Sequence, residues 1–225
     1  MQFYIFAAKL QSPIMQNFKN IIFDYGNVIF TIDFERGQQA WTNLGIKDVA
    51  QFYAHKNQNP VFDAFERGEI TAPDFRDYIR QKINNLNLTD QQIDAAWNHM
   101  LIGVPDGNHQ LLLKLKPKYR TFLLSNINAI HYDYVMDYLK AQFNFNNNDH
   151  LFEKTYYSHL VGKRKPGAAI FEQVLTENSL NPAETLFIDD SPQHLAAAQQ
   201  LGIQTYLMTA PDTIQALFKR LGIID

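Results

Sequence analysis

Asp24 stands directly after the apolar run Ile21-Ile22-Phe23, and Ser125 directly after Phe122-Leu123-Leu124. The adjacent acids Asp189 and Asp190 follow Leu186-Phe187-Ile188. Lys165 lies in the basic stretch Lys163-Arg164-Lys165-Pro166, downstream of a weaker apolar run. If these runs are parallel strands of one open sheet, their carboxyl ends share a crevice, which is where such sheets bind ligands. A carboxylate able to act as nucleophile, a hydroxyl, a cation and two further carboxylates would then meet. Taken singly, each residue has a plainer role. Asp24 and Ser125-Asn126 suit turns. Asp189-Asp190-Ser191-Pro192 suits the cap of a following helix, and Lys165 suits a solvated loop. The adjacent acids are harder to set aside, because two like charges at the end of a buried strand call for a compensating cation.

The elements that would position these groups are legible. Continuous apolar runs at 20–23, 119–124, 185–188 and 202–207 read as strands covered on both faces, with a weaker one at 154–157. Helical patterns lie between them at 108–115, 168–178, 192–201 and 211–221. Proline favours helix starts, and Gly202 favours a stop. Strands alternating with helices indicate an α/β fold, a Rossmann-like parallel sheet sandwiched by helices.

From Phe34 to Pro105 the pattern is helical throughout, at 37–44, 47–54, 61–67, 73–84 and 90–100. The last of these opens on Thr89-Asp90 at a capping position. A wholly helical block after the first strand reads as an inserted all-helical cap domain. The expected organisation is a core of residues 17–33 and 106–225, a cap of 34–105 and an N-terminal extension of 1–16. Gly103, Pro105 and Gly107 suit a hinge-like linker. Met15, just ahead of the first strand, is a candidate natural start, with residues 1–14 upstream of it; an ordinary surface tail fits equally.

Composition excludes several function classes. The 225 residues are 46% hydrophobic and 19% charged, the balance of a soluble globular chain. The net charge of -3, from 20 basic and 23 acidic residues, argues against nucleic-acid binding. It still permits a small anionic substrate, since a pocket's charge can differ from the net charge. With no cysteine there is no disulfide and no thiolate chemistry, which fits a reducing cytosol. No apolar run is long enough to span a bilayer, and the short apolar stretch 3–8 lacks the preceding basic residue of a signal peptide. The seven histidines show no metal-ligand spacing. His194 could donate a proton near Asp190, although an exposed helix position is the plainer expectation. Arg36, Trp41 and Arg67 are candidate substrate contacts, but we expect exposed charges and a core aromatic instead.

The segments IIFDYGNVIF (21–30), FLLSNIN (122–128), GKRKPGAAIF (162–171) and LFIDDSPQHLAAA (186–198) occur in one order and in strand context. Together they resemble the haloacid dehalogenase superfamily, over nearly the whole chain from Asn20 onward. The resemblance implies a helical cap closing over the site and a phosphatase that passes through an aspartyl phosphate. It implies Asp24 as nucleophile, and Asp24, Asp190 and the backbone carbonyl of Gly26 as magnesium ligands. Asp189 would be a further ligand or an acceptor for metal-bound water. Lys165 would offset charge between Asp24 and the phosphoryl oxygens. Ser125 and the backbone amide of Asn126 would donate to those oxygens. A carboxylate attacks phosphorus only when its own charge is masked and the phosphoryl charge neutralised, which a divalent cation does.

One position departs from the family pattern. Most phosphatases of this kind carry a second Asp two positions on, as general acid and base; here Gly26 stands there and cannot transfer a proton. Such help is typically worth roughly 10²–10⁴-fold in rate. The Asp24-Tyr25-Gly26-Asn27-Val28 form, with FERGEIT at 65–71, is similar to a branch that includes sugar-1-phosphate phosphatases and lacks that Asp too. A metal-independent haloacid dehalogenase also lacks it, but carries an aromatic residue there, and the Asp189-Asp190 pair favours a metal. A catalytically weak binding or regulatory protein is a third reading, against which Asp24, Lys165 and Asp190 argue. The expectation is magnesium-dependent hydrolysis of a small phosphorylated metabolite, a sugar phosphate by preference. It is expected in the cytoplasm, as a monomer or weak homodimer, with no nucleic-acid or membrane partner.

Overall fold

The computed structural model describes residues 17–52 and 59–224. The expected extension 1–16, the candidate start at Met15 and the end of the helix expected at 47–54 lie outside them. The chain opens with β1 (Asn20–Phe23) and β2 (Thr31–Ile32). Helices α1 (Phe34–Leu44), α2 (Val49–Phe52), α3 (Pro60–Glu66), α4 (Ala72–Ile83) and α5 (Asp90–Asn98) follow. Then come β3 (Leu101–Gly103), α6 (Asn108–Leu115), β4 (Arg120–Ser125), α7 (Ala129–Phe143), β5 (Lys154–Tyr157) and α8 (Ser158–Val161). The chain closes with α9 (Ala168–Glu177), β6 (Thr185–Asp189), α10 (Pro192–Gln200), β7 (Gln204–Leu207) and α11 (Ile214–Arg220).

Five of the strands form one parallel sheet in the order β5-β4-β1-β6-β7. Central β1 is apolar on both faces because both are covered. Ile21 and Phe23 share one cluster with residues of α6, α7 and α11, while Ile22 joins α9 and α10 on the other side. All three are fully buried, and each such side chain stabilises the fold by about 1.5–3 kcal/mol. Phe23 pairs with Leu123 of β4 and Ile188 of β6. Asp24, just past β1, and Asp189 therefore come next at the same level, with Ser125 one residue further along β4, so the polar residues emerge together at the carboxyl edge.

Among the described residues, the block after β2 is helical up to Asn98. Thr71 and Thr89 each close a capping box, with Asp74 and Gln92, so the start expected at Thr89-Asp90 is borne out. An aromatic cluster holds the helices together. Ring centroids of Trp41 and Trp97 lie 5.5 Å apart, Phe62 and Trp97 5.4 Å, and Phe65 and Phe75 4.5 Å. Trp41 is fully buried there, as the plainer expectation had it. Arg67 pairs with Glu69, and Arg36 is exposed.

Two features escaped the sequence reading. The stretch to Pro105 is not wholly helical: β3 pairs antiparallel with β2. Three residues are too few to show a period, and their partner lies some seventy positions earlier. Gly103 in β3 has φ +146°, and a Cβ there would lie 2.5 Å from the Tyr138 hydroxyl, which accepts a hydrogen bond from the Val104 N–H at 2.9 Å. Glycine serves close packing at this neck as well as backbone freedom. The second feature is α7, a fifteen-residue helix. Ile130, Val135 and Leu139 are buried in the core and Tyr132, Met136, Tyr138 and Phe143 pack partly around them, so no single apolar stripe marks it.

Candidate active site

A cavity of about 170 Å³ opens at the carboxyl edge of the sheet, beneath the helices that follow β2. Asp24, Gly26, Ser125, Asn126, Lys165 and Asp190 all line it. Asp24 is fixed by its own backbone, whose N–H donates to the Ile188 carbonyl at 2.9 Å. Its Oδ1 accepts from the Tyr25 N–H and from Lys165 Nζ, each at 2.7 Å. Oδ2 has no hydrogen-bond donor among the described residues.

Lys165 is fully buried, and its Nζ also donates to Asp189 Oδ2 at 2.7 Å. Asp189 does not line the cavity; it lies behind Lys165. Its Oδ1 accepts from the Ser191 N–H at 2.7 Å and meets His194 Nδ1 at 2.9 Å. Asp190 lies nearer the opening, where its Oδ2 accepts from Asn27 Nδ2 at 3.1 Å. Asn27 Oδ1 in turn accepts from the Ile32 N–H at 2.9 Å, tying the carboxylate to β2.

Electrostatics follow from this packing. Burial pushes the Asp24 carboxyl well above its ordinary value, and Asp189 and Asp190 add to that while Lys165 opposes it. Burial also works against Asp189, but Lys165 and His194 prevail and bring it to about 2. Burial opposes the Lys165 charge, yet Asp189 and Asp24 hold it above the usual lysine range. Asp24, Asp189 and Asp190 each place a ligand atom within 4.8 Å of the others. Lys165 contacts two of these three carboxylates, and its single positive charge leaves an excess of negative charge among the four groups. A divalent cation offsets such an excess, and an all-oxygen donor set fits magnesium.

Comparison with known proteins agrees. A model of haloacid dehalogenase-like hydrolases matches residues 98–208. A D-ribitol-5-phosphate phosphatase from Bacteroides thetaiotaomicron is 30% identical over 192 residues, covering 84% of this chain and 90% of that protein. This chain belongs to the haloacid dehalogenase-like hydrolase family. Among solved structures, a family enzyme from the same organism, a mutant in complex with magnesium and inorganic phosphate, superposes with a TM-score of 0.83 at 36% identity. That match covers 89% of this chain and 98% of the other. A HAD-like family hydrolase from Porphyromonas gingivalis gives 0.82 at 30% identity, covering 93% and 100%.

The most visible departure from the common family pattern is Gly26. A Cβ there would lie 2.6 Å from Ile32 Cδ1, the far end of a flexible side chain. His194 departs from expectation too. It is not an exposed helix residue: its side chain is 17% exposed and turns back onto Asp189. The physical reason is the carboxylate placed just before α10, which draws the imidazole of the first turn inward.

Two positioning residues had no sequence signal of their own. Asn27 holds Asp190, as described. Asn126, read only as a backbone donor, grips Lys165 with its side chain: Oδ1 accepts from the Lys165 N–H and Nδ2 donates to the Lys165 carbonyl, both at 2.9 Å. An asparagine two-pronged against both backbone groups of one residue fixes where that lysine's side chain starts. Residues that hold site groups in place typically matter 10–100-fold. Asn126→Ala is therefore expected to lower kcat by about 10–100-fold while the protein still folds. Steady-state kinetics alongside a melting curve check this, and unchanged kcat in a folded variant would refute the clamp.

Proposed function

We propose that this chain is a magnesium-dependent phosphatase that hydrolyses a small phosphomonoester, a sugar or sugar-alcohol phosphate, through phospho-Asp24. The observation that carries the reading is the buried Lys165 ammonium, 2.7 Å from Asp24 Oδ1 and 2.7 Å from Asp189 Oδ2 at the carboxyl ends of adjacent strands. The substrate class is supported by similarity to the D-ribitol-5-phosphate phosphatase. The metal is supported by the magnesium and phosphate in the related solved structure.

In this reading Asp24 Oδ2 attacks phosphorus, the bond from phosphorus to the ester oxygen breaks, and the alcohol leaves with a proton taken from solvent; water then cleaves the aspartyl phosphate, giving inorganic phosphate and free Asp24. The Ser125 hydroxyl and the Asn126 amide bind the phosphoryl oxygens. Lys165 holds Asp24 in its attacking orientation and meets the charge that builds on the phosphoryl group. Asp24, Asp190 and the Gly26 carbonyl would hold magnesium, which when bound would neutralise charge on the nucleophile and the phosphoryl group. Both Asp189 oxygens are taken by protein donors, so Asp189 acts through Lys165. Residues 34–105 serve as the cap over a core of 17–33 and 106–225, keeping bulk water from the site during transfer to Asp24. Arg164 bridges the two, meeting Asp63 at 2.9 Å and Glu66 at 2.8 Å. A cysteine-free chain suits a cytoplasmic enzyme. Among the described residues no helix is long and apolar enough to cross a membrane.

The test is phosphate release from a panel of sugar and sugar-alcohol phosphates and an activated aryl phosphate. Release is expected with magnesium, with a fall of at least about 100-fold under chelation and recovery on adding the metal back. No release from any substrate with magnesium present would overturn the reading. Because Gly26 supplies no proton, the aryl phosphate should depend least on a general acid.

A further inference from the structure

His131 stands in the first turn of α7, a few residues beyond Ser125 and Asn126, and lines the same cavity. Its ring stacks on Trp97 of α5, with centroids 4.3 Å apart and planes 27° from parallel. It thus sits where the helical segment meets the core, above the strand ends that take the phosphoryl group. The rest of a substrate would lie here, among Phe34, Trp97, Met100, Leu101 and Val135.

The hydrogen bonding of this ring restricts what it can face. Nε2 lies 3.1 Å from the Trp97 backbone carbonyl. A carbonyl oxygen only accepts, so Nε2 carries the proton. The ring is neutral, because burial pushes its pKa down to about 4 against the smaller opposing effect of that carbonyl. A neutral ring protonated at Nε2 has a lone pair at Nδ1. Nδ1 has no hydrogen-bond partner among the described residues, and it is not one of the enclosed polar atoms. The cavity therefore presents an acceptor beside the apolar side chains of Trp97, Met100 and Val135, with Glu66, Arg164 and Gln193 also in its lining.

We propose that His131 Nδ1 accepts a hydrogen bond from a hydroxyl of the substrate's carbon chain and so selects polyol or sugar phosphates over unhydroxylated alkyl phosphates. This rests on the phosphatase reading above and deepens it. A site built to pair with a substrate hydroxyl discriminates strongly against analogues lacking one, because its polar group is then left unpaired. The same acceptor disfavours a substrate carboxylate or second phosphate at this point, since two acceptors repel.

The experiment compares a pentitol 5-phosphate with pentyl phosphate, matched in length and differing in hydroxyls, on the wild type and His131→Phe. Phenylalanine keeps the stack on Trp97 and removes the acceptor. The wild type is expected to favour the pentitol phosphate in kcat/KM, and the variant to lose about 10–100-fold of that preference, mainly through KM. His131→Gln, whose amide supplies both a donor for the Trp97 carbonyl and an acceptor oxygen, should recover part of the preference that His131→Phe loses. An undiminished preference in His131→Phe, or no preference in the wild type, overturns the proposal. If the wild type releases phosphate from neither compound, the full substrate panel above decides the phosphatase reading. Calorimetric binding of the two compounds then decides His131 separately: pentitol phosphate affinity lost in the variant supports the acceptor. Equal affinity in both proteins, or no binding by the wild type, removes it.

Discussion

Asp24→Asn abolishes phosphate release and leaves the fold in place. Turnover is expected to fall by at least roughly 10⁴-fold, the scale on which removal of a covalent nucleophile is felt. The amide keeps what holds this position: an oxygen at Oδ1 still accepts from the Tyr25 N–H and from Lys165 Nζ. It removes the oxygen that attacks and one of three clustered negative charges. The sign of the stability change follows from the raised pKa of Asp24. A carboxyl raised in the folded state costs nothing below its unfolded value. The cost grows as pH rises through the folded value. At pH 7.5 without metal, Asn therefore relieves a cost, and the variant should melt no lower than the wild type. With magnesium the order reverses. A ligand that binds only the folded state stabilises it by mass action, and the variant has lost a metal ligand. Melting curves with chelator and with magnesium, beside single-turnover phosphate release, check both parts. Turnover above about one-hundredth of wild type would sink Asp24 as the nucleophile.

The site and the fold were unequally legible. β1, β5 and α6 occupy the residues read for them: β1 and α6 are a compact apolar run and stripe bounded by polar residues, and β5 is a weaker run whose Tyr156 and Tyr157 are buried. The convergence of Asp24, Ser125, Asn126, Lys165 and Asp190 on one cavity also follows from strand order, since parallel strands can end only on the same edge. What stayed hidden was whatever depends on contacts across the chain. The hold of Asn126 on Lys165 spans 39 positions, and that of Asn27 on Asp190 spans 163. Neither leaves a local pattern, because an asparagine in a loop reads first as a turn residue. The inward His194 was misjudged for a related reason. Its spacing from Asp189 was visible, but a helix start gives no sign of which face meets a buried carboxylate. α7 was missed because its buried side includes His131 and its exposed face carries Tyr134, which blurs the apolar stripe.

Lys165→Met tests the other half of the charge arrangement, and here both activity and stability should suffer. Methionine fits the space of the lysine stem but leaves Asp24 and Asp189 without their shared cation. Breaking a buried ion pair by removing one partner typically costs about 3–5 kcal/mol, because the remaining charge is desolvated and unpaired. We expect a loss of that order at pH 7.5, and a fall in kcat of at least about 10³-fold from the missing stabilisation of transferring charge. The pH dependence distinguishes this from a simple packing defect. In the wild type Asp189 is held at about 2. Its stabilising contribution is present above the unfolded value and is lost only as pH falls through the folded one. In the variant, burial without the cation raises both carboxyls above their unfolded values, so the penalty is absent at low pH and grows as pH rises. The stability gap between the two proteins should therefore narrow from pH 7.5 to pH 5, as the variant's carboxyls take up protons. Urea unfolding at the two pH values measures it. A gap that is constant with pH would point to lost packing instead, and no gap at pH 7.5 would mean that Lys165 is not the cation that makes this acidic cluster tolerable. Lys165→Arg should not restore the wild-type behaviour. The lysine is fully buried, and a planar guanidinium cannot place one nitrogen 2.7 Å from both carboxylates in the space of an ammonium.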